Sequence, residues 1–465
     1  MKRKNNLIRC GTGTLRLSAA TLMLGLTLLT SCEKLIETEL PGNQMDTSLV
    51  FSDVQTANAA LSGLYAGLWD SSPLSADMSG QLLGYYTDDL DYFALSNPTL
   101  MDLFLNQQMD NNTAVLSYWT AAYQKIYVAN ALLEGVERSA GLKEADKKRL
   151  SGEALLIRSV LLLHLVQVYG DIPCPLTSDY QINKSLPKRS EADVLQLLEA
   201  DLTLAASLLE DNYRHAERIY VNRKTAQVYL AKTMLLQQKW APAESVLKEV
   251  IGSPLYVFQP NLANVFEKSS KHIIWQLKPK NATDATKEAI LYYFTGAPTG
   301  PALSSSLVSA FSTADQRRIQ WMMAVQAGGN TWYRANKYKN RTANTTEYSV
   351  VLRLEEVYLM LAEALVQQNN TGEALPYINA TRTRAGLAAL QQPLGPEVLK
   401  TEILAEYRRE FFTEMGNRFF SLKRMGRLGD LMTTKPNWKQ RDARWPIPQK
   451  ELLLNPALKP QNDGY

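Results

Sequence analysis

Between Ala154 and Tyr169 the chain is apolar at nearly every position, broken only by Arg158, Ser159, His164 and Gln167. Leu, Val, Ile and Ala in such a run, without alternation, predict a helix rather than a strand at this length. A helix that is apolar on all sides has to be covered on all sides, so it belongs at the centre of the fold. The run is shorter than the roughly 20 apolar residues that cross a bilayer, and it carries an arginine and a histidine, both pointing to a protein core. Gly170 suits a left-handed cap, and Pro173 and Pro175 prevent continuation.

Helical periodicity recurs on both sides of this run. Val54, Ala57, Leu61, Leu64 and Leu68 share one face of a helix that Ser52 caps, with Gln55 in the capping-box position. Trp119, Tyr123, Ile126, Asn130 and Leu133 share a face of another over residues 113–139. Further helices are predicted over 144–170, 191–211, 222–238, 241–251 and within 397–424. Ala231 and Ala243 are twelve residues apart, as are Ala362 and Ala374. A shift of 131 residues also superposes Leu235 on Val366, Gln237 on Gln368 and Leu247 on Ile378. Small residues at this spacing let helix pairs approach closely, as in tetratricopeptide units. The predicted fold is mainly α, a tetratricopeptide-like helical-hairpin scaffold that includes 191–251 and 352–386. Its Pro-rich tail, from Trp445 to Tyr465, is expected to be pinned over the helices.

Two long stretches break the helical pattern. Residues 71–112 hold Pro73, Gly80, Gly84 and Pro98 with a cluster of Tyr85, Tyr86, Asp88, Asp89, Asp91 and Tyr92. Residues 254–349 hold Trp275, Tyr292, Tyr293, Trp321, Trp332, Tyr333 and Tyr338 among many Gly, Pro, Asn and Thr residues. Only 273–277 suggests a strand. Long irregular segments on a compact scaffold are often functional. The turn signal Gly328-Gly329-Asn330 places Trp332 and Tyr333 at an exposed tip.

Charge and cysteine usage narrow the setting. The 465 residues carry a formal net charge of +4. Five basic residues (Lys2, Arg3, Lys4, Arg9, Arg16) and no acid lie in the first 31, leaving 45 basic against 46 acidic residues beyond them. A nearly neutral remainder disfavours nucleic-acid binding. Residues 1–16 are basic and 17–30 mostly apolar, the pattern of a secretion signal. It ends on Leu29-Thr30-Ser31-Cys32, which resembles a bacterial lipobox with Cys32 as the acylated residue. Residues 32–50 then read as a tether. Once Cys10 and Cys32 are assigned to this region, Cys174 is alone, so no disulfide framework is available. His164, His215 and His272 are too scattered for a metal motif, and no cofactor is indicated. No phosphate loop, nucleophile elbow or zinc-protease pair is present. The acidic group at 88–91 does not distinguish a glycosidase acid from a nucleophile, so an enzyme is disfavoured.

Four ordered stretches resemble the SusD/RagB family of outer-membrane nutrient-binding lipoproteins. They are Trp119…Tyr123…Ile126…Asn130; Gly152-Glu153-Ala154…Arg158 with Tyr169-Gly170-Asp171-Ile172-Pro173; Ile403…Glu406…Arg409-Glu410 with Gly416-Asn417-Arg418-Phe419-Phe420; and Pro446-Ile447-Pro448…Asn455-Pro456…Gln461-Asn462…Gly464-Tyr465. Two departures stand out: Met415 intervenes before Gly416, and Ser421 stands where the family usually has Asp. The resemblance implies one domain over 51–465, anchored through Cys32 at the cell exterior. It also implies a SusC-like TonB-dependent outer-membrane transporter as partner, no catalysis, and motif residues that are framework. Trp119, Asn130, Arg158 and Arg418 are accordingly expected to be largely buried.

For the ligand, flat rings beside carboxylates and amides suit the C–H faces and hydroxyls of an oligosaccharide. The candidate contacts are Tyr85, Tyr86, Asp88, Asp89, Tyr92, Tyr292, Tyr293, Trp332 and Tyr333. The same residue types serve a peptide, which would rely on backbone hydrogen bonds and adaptable pockets, as in the RagB branch. A helical-repeat adaptor whose loops hold a partner protein is the third reading. Convergence of the loop aromatics on one exposed face favours a ligand, and their burial favours the adaptor.

Overall fold

The computed structural model describes residues 50–94 and 96–465. The readings of Cys32, of 1–31 and of all but the last residue of the tether lie outside the described residues. In chain order the main elements are α1 (Val54–Asp70), α2 (Gln81–Tyr86), β1 (Leu90–Tyr92), α3 (Pro98–Phe104), α4 (Thr113–Arg138), α5 (Glu144–Tyr169) and α6 (Glu191–Leu208). There follow α7 (Arg223–Leu236), α8 (Trp240–Ile251), β2 (Ile273–Leu277), α9 (Lys287–Leu291), β3 (Pro301–Leu303), β4 (Met322–Ala327) and β5 (Asn330–Ala335). The chain closes with β6 (Ser349–Arg353), α10 (Leu354–Gln367), α11 (Thr371–Arg384), α12 (Pro396–Phe411) and α13 (Asn417–Arg424).

The apolar run lies in α5, and 94% of the most apolar window of that helix is buried. Length and composition alone would let α5 cross a membrane; its burial identifies the core helix of the scaffold. Each polar interruption of the run is accounted for. Arg158 donates to Asn130 Oδ1 at 2.9 Å and to Asp201 at 2.7 Å. Ser159 and Gln167 donate to the carbonyls of Leu155 and Leu163 one turn back. Burial pushes the His164 imidazole down to about 3, so it is neutral. Gly170 has φ +77°, and a Cβ there would meet the Arg444 side chain at 2.7 Å. Trp119, Asn130 and Arg158 are buried, and Arg418 keeps 14% of its side-chain surface. The first helix starts one residue later than expected. Asp53, not Ser52, is its cap, because the Asp53 carboxylate reaches the amides of Gln55 and Thr56 at 2.7 and 3.0 Å.

Helices pack neighbour on neighbour: α4 on α5, α5 on α6, α6 on α7, α7 on α8, α8 on α10, and α10 on α11 and α12. Ala231, Ala243, Ala362 and Ala374 are all fully buried where these pairs approach. The second insertion leaves after α8 and returns at α10, its base closed by β2 paired antiparallel with β6. The C-terminal tail is pinned as expected. The Trp445 amide donates to Val168 O at 2.7 Å, and Asn462 Nδ2 donates to the carbonyls of Tyr169 and Trp445. The extra residue at Met415 is absorbed by left-handed backbone at Thr413, Met415 and Gly416, with φ of 62°, 49° and 69°.

The insertions are more regular than their composition suggests. They contain α2, α3 and α9, and they jointly build an antiparallel sheet of order β1-β3-β5-β4. The first insertion supplies β1 and the second supplies the rest. Two of these strands have only three residues, too few for an alternation to register in the sequence. β4 and β5 form a hairpin across Gly328-Gly329, whose φ of +56° and +78° suit a two-residue turn.

A buried ion cluster fixes the second insertion to the scaffold. Arg317 reaches Asp315, Glu406 and Glu410 at 2.8–3.0 Å. Arg353 reaches Glu410 at 2.6 Å and Glu414 at 3.0 Å. Arg384 binds Glu355 and Glu410, and His272 Nδ1 lies 2.7 Å from Glu355. Lys337 donates to Glu414 and to the carbonyls of Glu410 and Phe412. Buried charges persist only when paired and hydrogen-bonded in this way.

Candidate ligand-binding face

Strand register sorts the side chains of the four-stranded sheet into two sets, because successive residues point to opposite faces. Leu90 pairs with Leu303, Leu303 with Tyr333, and Ala335 with Met322. All five belong to or pack on one apolar cluster, so this is the inner face. The opposite face carries Asp91, Ala302, Trp332 and Arg334. Trp332 is half-buried, sits across from Val325, and is absent from both core clusters. Tyr293, also half-buried, is contacted by two guanidiniums: Arg341 at 3.4 Å and Arg334 at 4.2 Å from the ring centre.

Beside Asp91 the two insertions and the segment after α13 enclose a cavity of about 410 Å³, lined among others by Asp91, Asn106, Ser305, Ser306, Thr434 and Asn437. Asn106 is 2% exposed. Its Nδ2 donates to Tyr86 O at 2.9 Å, which fixes the amide orientation, and its Oδ1 has no hydrogen-bond partner among the described residues. Burial raises the Asp91 carboxyl above its ordinary value, against the pull of Lys435. Burial also lowers Lys435 to about 8, while its Nζ donates to the carbonyls of Tyr85 and Phe104.

Several of the residues expected to touch ligand lie elsewhere. Tyr85, Tyr86, Tyr92 and Tyr292 are buried and present no ring face to solvent. Tyr85 packs edge-on to Tyr92, and Tyr86 is enclosed by Phe419, Trp438 and Trp445 while its hydroxyl donates to Asp442 O at 2.9 Å. Asp88 is bound by Arg418 at 2.8 Å and Arg408 at 3.1 Å, and Asp89 by Arg408 at 3.0 Å. Burial opposes the charge of Asp88, yet Arg418 and Arg408 hold its carboxyl below the ordinary range; burial dominates at Asp89 and raises it. These two carboxylates therefore tie α12 and α13 to the first insertion. Tyr333 faces inward because it alternates with Trp332. Trp332 itself lies along a strand, three residues beyond Gly329. Of the nine, Trp332 and Tyr293 are half-buried and absent from both core clusters, Tyr333 is half-buried but packs on the inner cluster, and Asp88, although held by arginines, lines the cavity beside Asp91. Arg334, Arg341 and Asn106 were not singled out in the sequence, although alternation after a Gly-Gly turn groups Arg334 with Trp332.

A larger groove of about 820 Å³ runs along α4, walled by Trp119, Tyr123, Tyr127, Tyr180, Leu186 and Leu454 among others. Within it Tyr123 donates to Pro173 O at 2.7 Å and Asn130 to Pro175 O at 2.9 Å, while Asn183 Oδ1 has no hydrogen-bond partner among the described residues.

Two family models match the chain. One, described as starch-binding and associating with the outer membrane, covers residues 46–235, and the SusD family model covers 319–465. The chain belongs to the SusD/RagB family. SusD-like proteins of Formosa agariphila are similar along most of their length. One is 24% identical over 94% of this chain and 97% of its own; another is 25% identical over 77% and 82%. Among solved structures, a SusD superfamily protein from Bacteroides vulgatus superposes with a TM-score of 0.79 at 20% identity, covering 89% of this chain and 99% of that one. Surface glycan-binding protein A from Bacteroides thetaiotaomicron, in complex with laminarihexaose, gives 0.75 at 16%, covering 88% and 99%. At these identities the likeness establishes the fold. The SusD/RagB motifs are framework here. Gly152 leaves no room for a Cβ, which would sit 2.8 Å from Leu209, and Glu153 accepts from Tyr65 Oη at 2.7 Å.

Proposed function

We propose that the protein is a cell-surface lipoprotein that binds glycan at the face carrying Trp332 and passes it to a SusC-like TonB-dependent outer-membrane transporter. In this reading residues 1–31 are a lipoprotein signal, 32–50 a tether acylated at Cys32, and 51–465 one non-catalytic ligand-binding domain. The observation that carries it is the half-buried Trp332 on the outer face of the sheet shared by both insertions, the face that also carries Asp91 at the polar cavity. A flat ring beside hydroxyl-binding groups is the pairing that a sugar needs. Relatives with the same fold include a laminarin-binding SusD-like protein.

Trp332→Ala is expected to weaken oligosaccharide binding by about 1–3 kcal/mol, the range for a flat ring stacked on an aromatic side chain. Its melting temperature should stay near the parent's, because Trp332 belongs to neither core cluster. Calorimetric titration beside a melting curve checks both. Unchanged affinity with a lowered melting point would assign Trp332 to the framework. Cys32→Ala should either release the protein to the soluble fraction or leave an uncleaved precursor. Normal cleavage with membrane retention of that variant, followed by fractionation and mass spectrometry, would refute the anchor.

A further inference from the structure

Two arginines on the ligand face differ from those around them. Arg317, Arg353, Arg384, Arg408 and Arg418 each hold at least one carboxylate. Arg334 and Arg341 hold none among the described residues, and Arg334 Nε is a buried donor without a partner. Both are drawn onto one ring, with neither guanidinium carbon more than 4.2 Å from the centre of Tyr293. One stacked arginine would suffice to hold a tyrosine ring. A second cation against the same ring brings like charges together, and burial with the charge of Arg341 lowers Arg334 below its ordinary range. An anion that reaches the free edges of both guanidiniums would offset this repulsion.

We propose that Arg334 and Arg341, held on Tyr293 beside Trp332, receive an anionic substituent of the bound glycan, either a uronate carboxylate or a sulfate ester. The inference rests on the glycan reading above and names the class of glycan. A guanidinium presents paired N–H donors in a plane, which matches two oxygens of a carboxylate or sulfate. Trp332 shares their strand face and would carry the apolar side of the same or the next sugar. Asp91 lies on that face as well, separated from β5 by β3. At about 4.8 Å per strand, this keeps it roughly 10 Å from Arg334, where it leaves the arginine pair free for the ligand.

The full chain in detergent, as the parent and as Arg334→Gln/Arg341→Gln, would be titrated with three oligosaccharides of matched length: oligogalacturonate, a sulfated galactan fragment and uncharged laminarihexaose. One acidic oligosaccharide should bind the parent at least about tenfold more tightly than laminarihexaose, and added salt should weaken that binding selectively. Which acid binds distinguishes carboxylate from sulfate. The double variant should lose about tenfold or more for that acid, with its melting temperature unchanged. A parent that binds laminarihexaose as tightly as either acid, or a variant that keeps the acidic ligand, overturns this inference and leaves the glycan reading standing. Binding of none of the three overturns both.

Discussion

Glu410→Ala is expected to destabilise the fold by about 3–5 kcal/mol, the usual loss when one partner of a buried charge pair is removed. Glu410 is fully buried and accepts from Arg317 at 3.0 Å, from Arg353 at 2.6 Å and from Arg384. Burial opposes its charge, yet Arg384, Arg353 and Arg317 together hold its carboxyl well below the usual range. Without it, three guanidiniums face one another with fewer acceptors, at the point where β6, α11 and α12 meet the second insertion. Urea unfolding measures the loss. Glu373→Ala serves as the control, because Glu373 is 65% exposed and its contact with Lys248 is 3.4 Å long; exposed pairs of this kind contribute less than about 1 kcal/mol. A Glu410→Ala protein as stable as this control would show that the cluster does not hold the insertion in place.

Glu288 should act in the opposite sense. It is buried on α9, accepts from Ser349 Oγ at 2.7 Å, and has no cationic partner among the described residues. Burial, reinforced by the charges of Glu414 and Asp77, raises its carboxyl from 4.5 to about 7. A folded-state value above the unfolded one means that folding favours the protonated form. The contribution of Glu288 is therefore complete below pH 4.5 and is lost as pH rises through about 7. At about 1.4 kcal/mol per pH unit, that interval is worth about 3 kcal/mol. Glu288→Gln keeps the shape and removes the charge. It should be about 1–3 kcal/mol more stable than the parent at pH 8, the advantage vanishing near pH 4.5. Denaturation of both proteins at the two pH values checks this, and a constant difference between them would remove Glu288 as its source.

The scaffold was legible in the sequence because its signals are local. The unbroken apolar run of α5, the cap at Gly170 and the spaced alanines each follow from neighbouring residues. The ligand face was legible only in part, because its geometry depends on partners far along the chain. Asp88 and Asp89 resemble free loop carboxylates until Arg408 and Arg418 arrive from α12 and α13. Tyr85 and Tyr86 end a short helix within an apparently irregular segment, and nothing nearby in the sequence marks them as buried. β1 and β3 are too short to show a period, so the sheet that joins the two insertions could not be read from either one. Trp332 survived as a candidate because its Gly-Gly turn fixes a hairpin locally, and the same alternation would have grouped it with Arg334.

That hairpin is joined to β3 through a single paired position, Leu303 with Tyr333. The ion cluster, the α5 core and the pinned tail all lie outside it. The segment from Met322 to Ala335 is therefore a replaceable cassette. Its inward residues Met322, Tyr333 and Ala335 answer to the apolar cluster beneath, so the outward Trp332 and Arg334 can be exchanged without redesigning the body that presents them.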